Sequence, residues 1–131
     1  MTHLFDSNAV IALMARQAVI ERRVLASEPA TIVLSSIVLF ELMFGAFNSL
    51  RVETNLDRLA DLALPLIEFD GDDARAAGEV RAALKRLGTP IGPYDVLIAG
   101  QALARGLIVV TANTGEFSRV AGVCVENWLI D

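Results

Sequence analysis

The sequence predicts an α/β domain: a small, mainly parallel sheet between two layers of helices. Three observations carry this. Short apolar, β-branched runs alternate with helix-like segments along the whole chain, and strands separated by helices call for parallel crossovers. The 131 residues are enough for one domain with its own core, and 54% of them are hydrophobic. A single cysteine excludes a disulfide framework and any multi-cysteine zinc site, so packing must hold the fold. With no repeat, low-complexity stretch or Ser/Gly linker, residues 1–131 read as one domain.

The elements follow in order. His3-Leu4-Phe5 is a short strand stopped by Asp6, and a helix follows with Ala9, Leu13 and Met14 on one side. Residues 18–27 form a second helical segment. The β-branched run 31–34, bounded by Pro29, is a strand, and Ser35 and Ser36 suit the N-cap of the next helix. That helix, 37–47, is apolar on two sides: Leu39, Leu42, Met43 and Ala46 at helical spacing, and Phe40, Phe44 and Phe47 beside them. Such a helix is buried either in the core or in an interface. Residues 51–64 are amphipathic, with Leu56, Leu59, Ala60 and Ala63 inward, and Pro65 ends them. A strand at 66–69 precedes a helix that is capped by residues 70–73 and stopped by Gly88. Pro93 opens the helix 94–104. Residues 107–110 form a central strand, and 123–125 a last one. Gly45 and Gly78 mark close helix packing, and Trp128 packs against the last strand.

Charge and residue counts limit the chemistry. The chain has 11 Lys+Arg, 16 Asp+Glu and a formal charge of −5, which argues against a generic basic nucleic-acid binder. Its one histidine, His3, sits near the N-terminus, where a solvated imidazole is expected. Acid–base chemistry would therefore rest on carboxylates, water and metal. No targeting segment is visible, and the most apolar run, 30–40, is too short to span a membrane. A soluble, cytoplasmic protein with no membrane partner is expected.

Ligands of parallel sheets bind beyond the carboxyl ends of the strands. Acids and amides stand at those places here. Asp6 follows the first strand; alone it is a good N-cap. Glu41 lies among apolar neighbours with no Lys or Arg within a turn, so it must escape to solvent, find a distant partner or hold a cation. Asp95 sits in the first turn of its helix, where the dipole alone would favour it. Thr111, Asn113, Thr114 and Glu116 follow the strand at 107–110; singly they make an ordinary polar turn. If the topology brings these groups together, their repulsion needs a cation. Oxygen ligands without His or Cys select Mg²⁺ or Mn²⁺, which suits phosphodiester hydrolysis.

The segments "LFDSN", "SSIVLFELMFGA", "GTPIGPYDVLIAGQALARG" and "VVTANTGEFSRVAGVCVENW" resemble a PIN domain, and more narrowly a VapC toxin of the type II toxin–antitoxin systems. The resemblance covers almost the whole chain. It implies a Mg²⁺-dependent endoribonuclease, with Mn²⁺ as a substitute, on a small three-layer α/β/α fold. Asp6, Glu41 and Asp95 match the acidic metal positions. Asn113 stands where PIN domains often carry a fourth acid, and Glu116 supplies an acid from a neighbouring position. Ser7 and Thr111 match hydroxyl positions that orient waters or ligands. The implied partners are an RNA substrate, a VapB-like antitoxin that wraps the toxin, and a second copy of the chain, giving a homodimer within a toxin–antitoxin hetero-oligomer. The Phe40/Phe44/Phe47 stripe is a candidate contact for that assembly. Arg75, Arg81, Lys85 and Arg86 share one helix and either meet RNA phosphate or form a solvated face, with Arg75 and Glu79 spaced to pair.

Two other functions fit the architecture less well. A receiver-type signalling domain needs an acidic neighbour for Asp6 and a lysine after a late strand; the only lysine, Lys85, is in a helix. A catalytically inactive PIN-like binding module would not need three retained acids.

Overall fold

The computed structural model describes residues 2–28 and 31–130. Their order is β1 (His3–Phe5), α1 (Ser7–Met14), α2 (Ala18–Leu25), β2 (Ile32–Ser35), α3 (Ser36–Phe47), α4 (Val52–Asp61), β3 (Leu66–Ile67), α5 (Gly71–Leu87), α6 (Pro93–Arg105), β4 (Ile108–Val110), α7 (Thr114–Phe117) and β5 (Cys124–Glu126). The strands form one parallel sheet in the order β3-β2-β1-β4-β5. With helices on both faces this is a three-layer α/β/α arrangement, as expected.

The chain starts in the middle of the sheet, builds outward through β2 and β3, then returns to the other side of β1 with β4. The order therefore reverses between β1 and β4, where His3 pairs with Ile108 and Phe5 with Val110. Both strands are covered on two faces, which is why they are short, uninterrupted apolar runs: Leu4, Phe5, Val109 and Val110 are fully buried. The Asp6 amide donates to the Val110 carbonyl at 3.1 Å, and the Thr111 amide to the Glu126 carbonyl at 3.0 Å. The ladder thus extends one residue past each strand, and those residues are Asp6 and Thr111.

Helices α5 and α6 form an antiparallel hairpin. An Asp70/Asp73 capping box opens α5, and Gly88 ends it in the left-handed conformation at φ 70°. The near-absence of side chains at the crossing lets the two helices touch backbone to backbone. A Cβ built on Gly100 would lie 2.4 Å from the Ala77 Cα. The expectation that Gly45 and Gly78 mark close packing is corrected accordingly: a Cβ at either meets nothing within 4 Å. Buried Asp73 closes the hairpin's other end, accepting from Arg105 Nε at 3.1 Å, Arg105 Nη2 at 3.0 Å and Gln101 Nε2 at 3.0 Å. Burial alone would raise its pKa, but the Arg105 hydrogen bonds hold it below the usual carboxylate value.

Several boundaries differ from the sequence expectation. Helix α4 stops at Asp61, because Ala63 already adopts φ 50°. Strand β3 is only two residues, since Phe69 instead donates its amide to Ser36 Oγ at 3.1 Å. The loop after β4 contains a helical turn, α7, that its Thr/Asn/Gly composition concealed. Pro29, expected to bound β2, lies outside the described residues. His3 is not a solvated terminal group: its ring lies 4.8 Å from that of Trp128, and its Nε2 is 3.6 Å from Glu126 Oε1. Trp128 packs as expected, buried edge-on against Phe5, with Nε1 donating to Glu126 Oε1 at 2.8 Å. Phe40, Phe44 and Phe47 are not core residues; α3 buries Val38, Leu42 and Ala46 and leaves the three rings 54–63% exposed. Among the described residues no helix is long and apolar enough to cross a membrane.

Candidate active site

The reversal of strand order between β1 and β4 leaves a crevice beyond their carboxyl ends, and the expected site residues border it. Asp6 is held in two ways. It caps α1, accepting from the Ala9 amide at 2.9 Å through Oδ1, while its Oδ2 accepts a short hydrogen bond from the Thr111 hydroxyl. That hydroxyl also accepts from the Asn113 amide at 2.8 Å, so Thr111 fixes the first acid and the turn into α7 together. Both Asp6 and Thr111 are buried. Burial pushes the Asp6 carboxyl above its ordinary value, against the Thr111 hydrogen bond and the backbone amides of Ala9 and Asn8.

Glu41 comes from α3, whose register is set by Ser35, the residue whose Oγ accepts from the Ile37 amide at 3.1 Å. Its Oε1 is buried with no hydrogen-bond partner. Desolvation raises its pKa, the Ser7 hydroxyl opposes that, and the negative charge of Asp6 adds to it. Asp95 comes from the first turn of α6, which Pro93 starts. Its Oδ2 accepts from Asn113 Nδ2 at 3.1 Å, and the same nitrogen donates to Glu116 Oε2. Burial, then the hydrogen bond and charge of Glu116, then the charge of Asp6 push Asp95 up to about 7. Glu116 moves the other way, lowered first by Asn113 and then by Asp95. Of the two, Asp95 is therefore the more readily protonated.

All seven expected residues border this region. Asp6 is the centre of the acid group: its charge is felt at Glu41 on one side and at Asp95 on the other. Ser7 belongs to the Glu41 side, and Thr111, Asn113 and Glu116 to the β4–α7 side. Among the described residues no three His, Cys, Asp or Glu side chains are gathered into a finished metal cage. The donors nonetheless fit a hard divalent cation. They are all oxygens, one is buried without a partner, and their pKa values are raised partly by one another.

Gly92 was not foreseen. A Cβ there would lie 3.4 Å from Asp95 Oδ2, and its backbone amide hydrogen-bonds Glu116. The available signal was a Gly-Pro pair three residues before an acid. Beside the acids, a groove of about 560 Å³ between α1, α3 and α4 is lined by Ser7, Ile11, Met14, Glu41 and Arg58. On the opposite flank of α3 the Phe40 and Tyr94 rings meet at 5.7 Å, both partly exposed.

A family model for the PIN domain matches residues 4–123. A tRNA(fMet)-specific endonuclease VapC of Salmonella typhimurium is 46% identical over 97 residues, 72% of this chain and 74% of the relative. The crystal structure of DNA-bound VapBC from Salmonella typhimurium matches with a TM-score of 0.91 at 37% identity, over 98% of both chains. The structure of VapBC2 from Rickettsia felis, bound to a DNA fragment from its promoter, matches with a TM-score of 0.89 at 32% identity, over 98% of this chain and 99% of that one.

Proposed function

The chain belongs to the PIN-domain family, in its VapC branch, and from that premise we propose that it is the ribonuclease toxin of a type II toxin–antitoxin pair, acting in the cytoplasm on RNA. The observation that carries the catalytic proposal is the group of raised carboxylates at the strand-order reversal, with a buried Glu41 oxygen left unpartnered. A chain that keeps such a group has a use for the charge, since neutral residues would cost less. The whole chain, residues 1–131, acts as one PIN domain.

Asp6, Glu41 and Asp95 would hold Mg²⁺, or Mn²⁺ in its place. When bound, the cation supplies charge neutralisation and lowers the pKa of a water that attacks the phosphodiester. The protein's own part is positional. Thr111 and the Ala9 amide each hold one oxygen of Asp6, which fixes the carboxylate in place. Ser7 orients Glu41. Asn113 replaces a fourth carboxylate but carries no charge; it bridges Asp95 and Glu116 and keeps the latter ionised at the edge of the site. Glu116, kept ionised beside Asp95, adds negative charge that a cation held there would offset.

Relatives crystallised as VapBC complexes support a VapB-like antitoxin as partner. The groove reaching Glu41 and Ser7, with exposed Ile11 at its edge, suits a segment that covers the acids. The exposed Phe40, Phe44 and Phe47 support self-association into a homodimer within the hetero-oligomer. The test is cleavage of bulk tRNA and of unstructured RNA with Mg²⁺, with EDTA, and by Asp6→Asn and Asp95→Asn. Cleavage is expected with Mg²⁺ alone, and a loss of at least about a hundredfold in either variant. Undiminished cleavage by the variants would remove the assigned site.

A further inference from the structure

We propose that the groove between α5 and the start of α6 is an RNA-anchoring subsite, in which Arg81 and Lys85 hold phosphates of a single strand and the apolar floor receives an unpaired base. This rests on the ribonuclease reading and adds to it where the substrate is gripped. The groove encloses about 590 Å³, within the ~300–1,000 Å³ of small-ligand clefts. Ala77, Leu84, Ile91 and Val96 are among the residues that form its floor. Its lining includes Arg81 and Lys85 and no acid.

Four observations favour a polyanion that also carries flat apolar faces. First, Arg81 and Lys85 are exposed and i, i+4 on α5, so they rise from one face of the helix. Second, neither has an ion-pair or hydrogen-bond partner among the described residues, whereas Arg16, Arg75, Arg105 and Arg119 are each engaged. Arg86 beside them also lacks such a partner, so what sets Arg81 and Lys85 apart is their place: both line a groove whose lining holds no acid, in a chain of net charge −5. Third, the helix dipole explains Lys85, which lies in the last turn of α5, but not Arg81, which lies deeper in the helix. Fourth, the groove adjoins the acids. Pro93 lines it and begins α6, two residues before Asp95, and Gly92 bonds Glu116 on the other side of the same loop. A strand lying across the acids continues over this wall. Single-stranded RNA supplies both features, a phosphate backbone and bases that can be splayed onto an apolar surface.

The test measures binding without cleavage. The full-length chain in EDTA is titrated into a fluorescein-labelled oligouridylate of about 12 nucleotides, within the site sizes of single-strand binders. Arg81→Gln/Lys85→Gln is expected to weaken binding about tenfold and to flatten the salt slope by about 0.7 for each phosphate no longer neutralised. Gly78→Leu fills the groove from a position where a Cβ meets nothing within 4 Å. It replaces glycine by a better helix former, so the fold is kept. It is expected to weaken oligouridylate more than an abasic strand of the same length. Arg75→Gln, on the same helix but paired with Glu79, is the unaffected control. Wild-type affinity and salt slope in both groove variants would overturn the subsite. So would a change in sedimentation without a change in RNA affinity, which would assign the groove to a protein partner. RNA binding by the groove without Mg²⁺-dependent cleavage by the wild type would sink the nuclease reading and leave the subsite standing. No RNA binding at all would sink the subsite.

Discussion

Asp95 gives the sharpest thermodynamic test of the acid group. In the metal-free protein its carboxyl is pushed up to about 7 by burial, Glu116 and Asp6, from an ordinary value of 3.8. Between those two values the folded chain holds a proton that the unfolded chain has released. Stability contributed by this group is therefore complete at low pH and is lost as pH rises toward 7. From pH 4.5 to 8 the loss spans about 2.5 pKa units at about 1.4 kcal/mol each. Water around this half-buried carboxylate screens roughly half of it, leaving about 2 kcal/mol. Asp95→Asn carries no titrating group and should lack that decline. The assay is urea unfolding in EDTA at pH 4.5 and pH 8 for both proteins, where the variant should gain about 2 kcal/mol on the wild type across the range. With Mg²⁺ present at pH 8 the wild type should recover stability, because the cation does what the proton did. Parallel profiles for the two proteins in EDTA would show that the acids do not feel one another, and the cation site would lose its electrostatic basis.

Three further outcomes are expected. Thr111→Val keeps the side-chain shape but leaves Asp6 Oδ2 and the Asn113 amide without their shared partner at a fully buried position; denaturant unfolding at pH 8 should show a loss of about 2 kcal/mol. Gly100→Ala forces a methyl to 2.4 Å from the Ala77 backbone and should cost about 3 kcal/mol or more by thermal unfolding, whereas Gly78→Ala should not destabilise. Phe44→Glu removes an exposed ring from α3 and should shift sedimentation toward the monomer without lowering the melting temperature.

What could be read from the sequence follows from where the physics is local. The central strands are apolar on both faces because they are buried on both, so β1 and β4 were visible as short runs. Ser35, Pro93, Gly88 and the 70–73 acids mark helix ends through their own backbone preferences. The acids were identifiable because burying Glu41 among apolar neighbours has no local remedy. What was hidden depends on partners distant in the chain. Gly100 looks like any glycine until Ala77 is laid against it. His3 looks solvated until Glu126 and Trp128, far along the chain, cover it. The Phe stripe could be core or contact, and only the orientation of α3, set by Val38, Leu42 and Ala46 turning inward, decides for exposure. The paired hydrogen bonds from Asn113 to Asp95 and Glu116 need α6 and α7 to meet, which no spacing along the chain encodes.

The net charge of −5 now has a distribution, and its parts act differently. Asp70 and Asp73 are consumed by the capping box and by Arg105, and Glu21, Glu79 and Glu126 face their own partners, so these acids project little field. Asp6, Glu41 and Asp95 stand together at the crevice, each pushed toward its protonated form because the fold alone compensates their charge poorly. An RNA phosphate cannot approach that crevice until a cation or protons cancel the charge. Two unpaired cations a loop away cannot cancel it either; they can only hold the strand nearby. Grip and chemistry are thus assigned to opposite charges on adjacent surfaces. A protein with a basic crevice would draw RNA onto its reacting groups without metal and at long range, whereas here the strand can be gripped beside the acids without metal but reaches them only when divalent metal cancels their charge.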